Sequence, residues 1–257
     1  MKDIRQIIDL SVANWKDVKE TNYDVVILPW GAIEPHNYHL PYITDCYLSQ
    51  NVALDSAVAA YEKSGTIAAV LPPVFLGAQN PGQWEMPLTI HTNSETQKAI
   101  LTDIVDSLYI QDFRKLVIIN GHGGNTFKPF IRDLAIKYPD FIIVALNWFE
   151  VETTEGYFEA KPDEHGGEQE TSALLHYRPD LVKMEQAGDG GVTPVAIEAL
   201  ERKIGWAPRN WKEVSKDTGI GDPRKATAEK GERYVKVVAD RIADLLTDLR
   251  DYDTTQA

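Results

Sequence analysis

The 257-residue sequence is poor in several features that would have pointed to a function. It has one cysteine, Cys46, so no intrachain disulfide can form, and a reducing, cytoplasmic location is the expectation. Basic residues are outnumbered: 26 Lys and Arg face 39 Asp and Glu, a formal net charge of −13. That balance argues against a nucleic-acid binder, which needs a basic patch to displace counterions from phosphate. It argues equally against a polybasic membrane-surface protein. No uncharged apolar run approaches the roughly 20 residues of a membrane span. The opening MKDIRQIIDL carries Asp3, Arg5 and Asp9 through its apolar stretch, so it does not read as a signal peptide. The zincin HExxH, the serine-hydrolase GxSxG and the P-loop signature are all missing.

What is present is an alternation of two patterns. Short runs of Val, Ile and Leu occur at Asp24–Pro29, Thr66–Leu71, Lys115–Asn120 and Phe141–Leu146. Their lack of polar alternation predicts strands buried on both faces. Helical spacing lies between them, from about Cys46 to Lys63, from Ser94 to Asp112, and from Asn125 toward Pro139. Ser94 and Gln97 fit a capping box at the start of the second. A further helix is expected over Glu168–His176, ending before Pro179. Residues 186–222 read as surface loops around one short helix, Pro194–Lys203. Asp222-Pro223 reads as the start of the last helix, which runs through Leu249. This order predicts an α/β fold: one domain over residues 1–250, a mostly parallel sheet flanked by helices on both faces, and a disordered tail at 251–257.

Chemistry-bearing residues gather where predicted strands end. After Asp24–Pro29 come Glu34 and His36, two apart and therefore on one face of an extended segment, then Asp45 at the start of the next helix. Two carboxylates and an imidazole suit a hard-to-borderline metal ion. The plainer alternative is two solvated acids, one of them capping the helix. Lys115–Asn120 runs into Gly121-His122-Gly123-Gly124-Asn125, where the glycines allow close approach of Gly123 and Gly124 to a ligand and His122 could bind a metal. Glu164, His165, Glu168 and Glu170 crowd the front of the Glu168–His176 helix. Acids there suit the helix dipole, which accounts for Glu168, while His165 is free for proton transfer. Cys46 has no base partner nearby and is expected to be a buried, inert thiol.

Taken in order, Pro29, Gly31, Glu34, His36, His39, Leu40, Pro41, Thr44 and Asp45, then Asn120–Asn125, then His165–Gly167 with Glu170–Ser172, and finally GDPRKATAEKGERYV at 221–235, the chain resembles the creatininase (creatinine amidohydrolase) family. The resemblance implies a single-domain, metal-dependent amidohydrolase that cleaves a non-peptide or cyclic amide, or a formamide, in a small molecule by a metal-activated hydroxide. It implies about two divalent metals per chain, zinc before manganese or iron, and a homo-oligomer, often a hexamer. Carried over, Glu34, Asp45 and His122 would hold one metal; His36, a bridging Asp45 and Glu170 would hold the second. His165 falls at the family's catalytic histidine, with Glu170 beside it. Trp148, and more loosely Trp84, would reach the substrate. His39, Asn125 and Glu164 are expected to orient the groups in front of them.

Departures imply a branch other than creatininase proper. A metal-binding glutamate of creatininases is replaced by Gly124, a usual glycine by Asn37, a usual serine by Ala32, and the glycine of an FPGTI-like stretch is absent from residues 85–90. An inactive ligand-binding relative and a two-metal phosphoesterase are the competing expectations, the latter weakened by the lack of Arg or Lys near the motifs.

Overall fold

The computed structural model describes residues 3–194 and 196–256. Four parallel strands form one sheet: β1 (Val25–Trp30), β2 (Ala68–Val70), β3 (Lys115–Asn120) and β4 (Ile142–Asn147), in the order β2-β1-β3-β4. Five longer helices are labelled α1 (Thr44–Ser64), α2 (Ser94–Ile110), α3 (Lys128–Lys137), α4 (Glu168–Tyr177) and α5 (Ala228–Asp251). Alternate residues of each strand serve opposite faces. Val25 and Ile27 of β1, with Val117 and Ile119 of β3, pack against α1, α4 and α5. Val26, Leu28, Leu116 and Ile118 pack on the other side against Leu101, Val105 and Leu108 of α2 and Phe130 and Leu134 of α3. The sheet is thus covered by helices on both faces.

The strand order positions the site. From β1 the chain crosses to β2 on one side, whereas from β3 it crosses to β4 on the other. The carboxyl ends of β1 and β3, paired through Trp30 and Asn120, therefore open onto a crevice, where open α/β sheets bind ligands. Gly121 lets that crevice close tightly, since a Cβ there would stand 2.4 Å from the Asp45 carbonyl oxygen.

Several local expectations are corrected. β4 is an edge strand, and its residues are half-exposed or exposed rather than buried on both faces. α2 is preceded by Asn93 without any side-chain cap. Gln97, buried, instead donates to Asn125 Oδ1 at 2.8 Å, because a buried amide gains more from a buried partner than from an exposed helix end. Asp222 does accept from Arg224 N, but it caps only a 3-10 turn at Pro223–Lys225; the long helix begins at Ala228 with Thr227 as its cap. The helix expected over Pro194–Lys203 shortens to Glu198–Glu201, and Val195 lies outside the described residues. A second short helix, Trp211–Val214, was not foreseen, and with Ile220 it forms a small apolar core of its own. In the expected tail, Asp251 still belongs to α5 and Thr254–Gln256 form a 3-10 turn. Among the described residues no helix is long and apolar enough to cross a membrane.

Candidate metal centre

Glu34 and His36 leave the segment after β1, Asp45 lies in the first turn of α1, His122 follows β3, and Glu170 lies in the first turn of α4. All five are buried. His36 Nε2 lies 2.7 Å from Asp45 Oδ1. His122 Nδ1 lies 2.8 Å from Glu34 Oε1 and 3.2 Å from Asp45 Oδ2. Three overlapping sets have ligand atoms within 4.8 Å of one another: Glu34–Asp45–His122, His36–Asp45–Glu170 and Glu34–His36–His165.

Backbone carbonyls fix the imidazoles. His36 Nδ1 faces the Glu34 carbonyl at 3.1 Å, His122 Nε2 the Ala78 carbonyl at 2.7 Å, and His165 Nε2 the Pro35 carbonyl at 2.9 Å. A carbonyl can only accept, so each of these nitrogens carries a proton and the other ring nitrogen is the one directed inward, free to serve as a ligand once its own proton leaves. The carboxylates match this. Glu34 Oε1 and Asp45 Oδ2 are buried without a hydrogen-bond partner among the described residues, an arrangement costly unless a cation sits among them. Oxygen and imidazole donors converging in this way suit a divalent ion, so the residues fit the metal that the resemblance implies.

The electrostatics agree. Burial works against charge on His36, yet Asp45, Glu170 and Glu34 outweigh it and raise its pKa to about 10. His122 is likewise raised well above its ordinary value against its burial, chiefly by Glu34 and Asp45. Asp45 is held far below the carboxylate range, since His36 and His122 overcome its burial. Without a metal, protons on these histidines stand in for it. Glu170 differs: burial raises it to about 7, although His36 pulls the other way. His165 is lowered to about 4 by burial and by charge on His36, which keeps its Nδ1 unprotonated at neutral pH.

The other predicted residues sort by position. A cavity of about 290 Å³ opens over Glu34, Asp45, His122 and Glu170, and Gly123, Glu164 and His165 lie on its wall with Phe149, Asp163 and Gln169. Trp148, expected at the substrate, is fully buried, set edge-on to Phe149 and Tyr234, and it is Phe149 that faces the cavity. Trp84 is half-exposed beside His91 and is not on the wall. Gly124 is also off the wall, and it leaves no room for a side chain: a Cβ would stand 2.1 Å from the Ala78 oxygen and 2.5 Å from His122 Nε2. Asn125 lies behind the histidine turn, where it accepts from Ala78 N and donates to Asn120 Oδ1. His39 is buried against Thr171 Oγ1 at 2.8 Å, and Glu164 reaches Arg209 at 3.0 Å. Glu168, accounted for in the sequence by the helix dipole, is wholly buried; it accepts from Glu159 N and Ala160 N and pairs with Lys230. Cys46 is buried as expected, with its thiol pKa pushed up by burial.

Three contributors were missed. Asn120 holds the glycine turn through His122 N and O, Gln83 donates to Glu34 Oε2, and Trp211 meets the His165 ring edge-on at 5.3 Å. The position of Asn120 at a strand end was the one available signal; nothing in the sequence linked Gln83 or Trp211 to residues 49 and 46 positions away.

A crystal structure from Bacteroides fragilis, provisionally named a creatinine amidohydrolase, superposes with a TM-score of 0.95 at 55% identity, covering 96% of this chain and 98% of that one. A mutant creatininase of Zn–Zn type superposes at 0.76 with 24% identity over 95% of this chain and 99% of its own, a likeness of fold. The mycofactocin precursor peptide peptidase of Mycolicibacterium smegmatis is 29% identical over 86% of this chain and 83% of its own. The family profile for creatininase, described as creatinine amidohydrolase, matches residues 11–246, and the chain belongs to that family of hydrolases.

Proposed function

We propose that the protein is a metal-dependent amidohydrolase that cleaves a non-peptide or cyclic amide, or a formamide, of a small molecule. Glu34, Asp45 and His122 would hold one divalent cation, and His36, Asp45 and Glu170 a second, with Asp45 shared. Zinc is the first choice, as in the creatininase described above as Zn–Zn type. The observation that carries the reading is the convergence of two buried oxygens, Glu34 Oε1 and Asp45 Oδ2, on His122 Nδ1 at 2.8 and 3.2 Å, with His36 Nε2 3.7 Å from the first.

Divalent cations bound there would lower the pKa of a water toward neutrality and so supply the nucleophile. The chain supplies the rest. His165, neutral at pH 7 and fixed by the Pro35 carbonyl, can accept a proton at Nδ1 and return it to the leaving nitrogen. Phe149 and the Gly121–Gly123 backbone shape a cavity sized for a small molecule. No Lys or Arg lines it among the described residues, which counts against an anionic phosphoester.

The test is metal analysis of the purified protein, followed by an amide, formamide and short-peptide screen with the metal it carries. Two equivalents of metal and turnover of a small amide are expected. Absence of metal binding would overturn the reading; full metal content with no hydrolysis across the panel would favour a ligand-binding relative.

A further inference from the structure

The two oxygens of Glu34 have different surroundings. Oε1 has no hydrogen-bond partner and faces His122 at 2.8 Å, His36 at 3.7 Å and His165 at 3.9 Å. Oε2 accepts from the amide of Gln83. A carboxylate terminus turns in a broad, roughly two-fold well, so nothing intrinsic to Glu34 decides which oxygen faces inward or whether both do. That choice must come from a neighbour.

Gln83 is built to make it. Its side chain is buried, and its Oε1 accepts from Asn80 N at 3.4 Å, which turns Nε2 toward Glu34. Its backbone closes successive turns, donating to Asn80 O at 3.1 Å and accepting from Met86 N at 3.0 Å. The loop is also tied from outside. Trp211 N donates to Pro81 O at 2.8 Å, and Lys212 pairs with Glu85 at 2.6 Å. Trp211, itself one of those ties and packed with Ile220, is the residue that sets its ring edge-on against His165. One pair of loops outside the sheet therefore supports both Glu34 and His165.

We propose that Gln83 is a positioning residue: its amide holds Glu34 with Oε1 alone presented to the ligand cluster, and so sets the affinity of the Glu34–Asp45–His122 site for a divalent cation. The inference rests on the metal reading above. Residues that orient metal ligands typically contribute 10–100-fold in affinity. A neutral amide does this without adding charge, whereas a carboxylate at position 83 would change the attraction for the cation as well as the geometry.

The experiment is titration of the metal-stripped full chain with Zn²⁺ against a chromogenic chelator, comparing wild type with Q83M, which keeps the length of the side chain and removes the donor. One equivalent should weaken by roughly 10–100-fold in Q83M while the other stays near the wild-type value. Unchanged affinity at both equivalents would overturn the inference and leave the metal reading intact. Failure of the wild type to bind Zn²⁺ would overturn both. Should Q83M not fold, a crystal structure of the zinc-loaded wild type decides: Glu34 bound through Oε1 alone with Oε2 on Gln83 supports the role, and Glu34 bound through both oxygens with Gln83 turned away removes it.

Discussion

His36 Nε2 lies 2.7 Å from Asp45 Oδ1, while the other ring nitrogen of His36 is held by the Glu34 carbonyl at 3.1 Å. Asp45 in turn shows its second oxygen to His122 at 3.2 Å. It is the residue common to the Glu34–Asp45–His122 and His36–Asp45–Glu170 sets, and one side chain links the ends of β1, α1 and β3.

Asp45→Ala should therefore strip both metals rather than one, with turnover falling by more than the roughly 10–100-fold seen when a merely orienting residue is removed. His165→Ala should keep its metal and lose turnover. Elemental analysis beside a rate measurement separates the two, and retention of both metals in Asp45→Ala would sink the shared role.

The metal-free protein should lose stability as pH rises. The folded-state pKa of His36 is about 10 against 6.5 for the free group, and that of Glu170 about 7 against 4.5. Both are raised, so the folded state binds more protons than the unfolded one; the stabilisation is full below the unfolded values and is lost as pH climbs through the folded ones. Melting temperature in chelator should accordingly fall between about pH 7 and pH 10, where His36 sets the sign, whereas below about pH 6.5 the lowered His165 and His39, both about 4, oppose Glu170; saturating metal should abolish the fall. By the same linkage, metal uptake at pH 7 should release protons, which calorimetry in buffers of different ionisation heat will detect.

Gly124→Ala should weaken metal binding although position 124 is no ligand here. The added Cβ would meet the Ala78 oxygen and His122 Nε2, the bond that fixes the proton on His122. A loss of roughly 10–100-fold in metal affinity is expected. Wild-type affinity in that variant would show that the carbonyl lock is dispensable.

Leu88→Gly should stabilise the fold. Leu88 adopts φ 62°, the left-handed region, at the stretch where the family's glycine is missing, and its side chain is 82% exposed. Nothing buried is lost, and relief of the left-handed penalty less the entropy cost of glycine leaves about 0.5–1 kcal/mol. Urea unfolding will measure it; an unchanged midpoint would mean that the turn carries no strain. Asn37, at φ 55° where the family also has glycine, is not equivalent. Asparagine tolerates this region, and its side chain accepts from Tyr38 N and Gly188 N.

Much of this protein was legible in the chain itself. The central strands β1 and β3 could be read to within a few residues because doubly buried strands demand unbroken Val, Ile and Leu, and no packing partner is needed to recognise that pattern. Glu34, His36, Asp45 and His122 stood out because ligand chemistry restricts residue type and sheet topology restricts position. Tertiary structure alone decided the rest. It placed Trp148 in the core and Phe149 on the cavity, because two adjacent aromatics look alike until their surroundings exist. It turned Gln97 from helix cap to support for Asn125, and it brought Gln83 and Trp211 to Glu34 and His165 across more than 40 residues of chain. A hydrogen bond is specified by where two groups end up, and a lone amide or indole in a loop carries no local mark of its distant partner. The candidate ligands stood in the sequence; the groups packed around them came together only on folding.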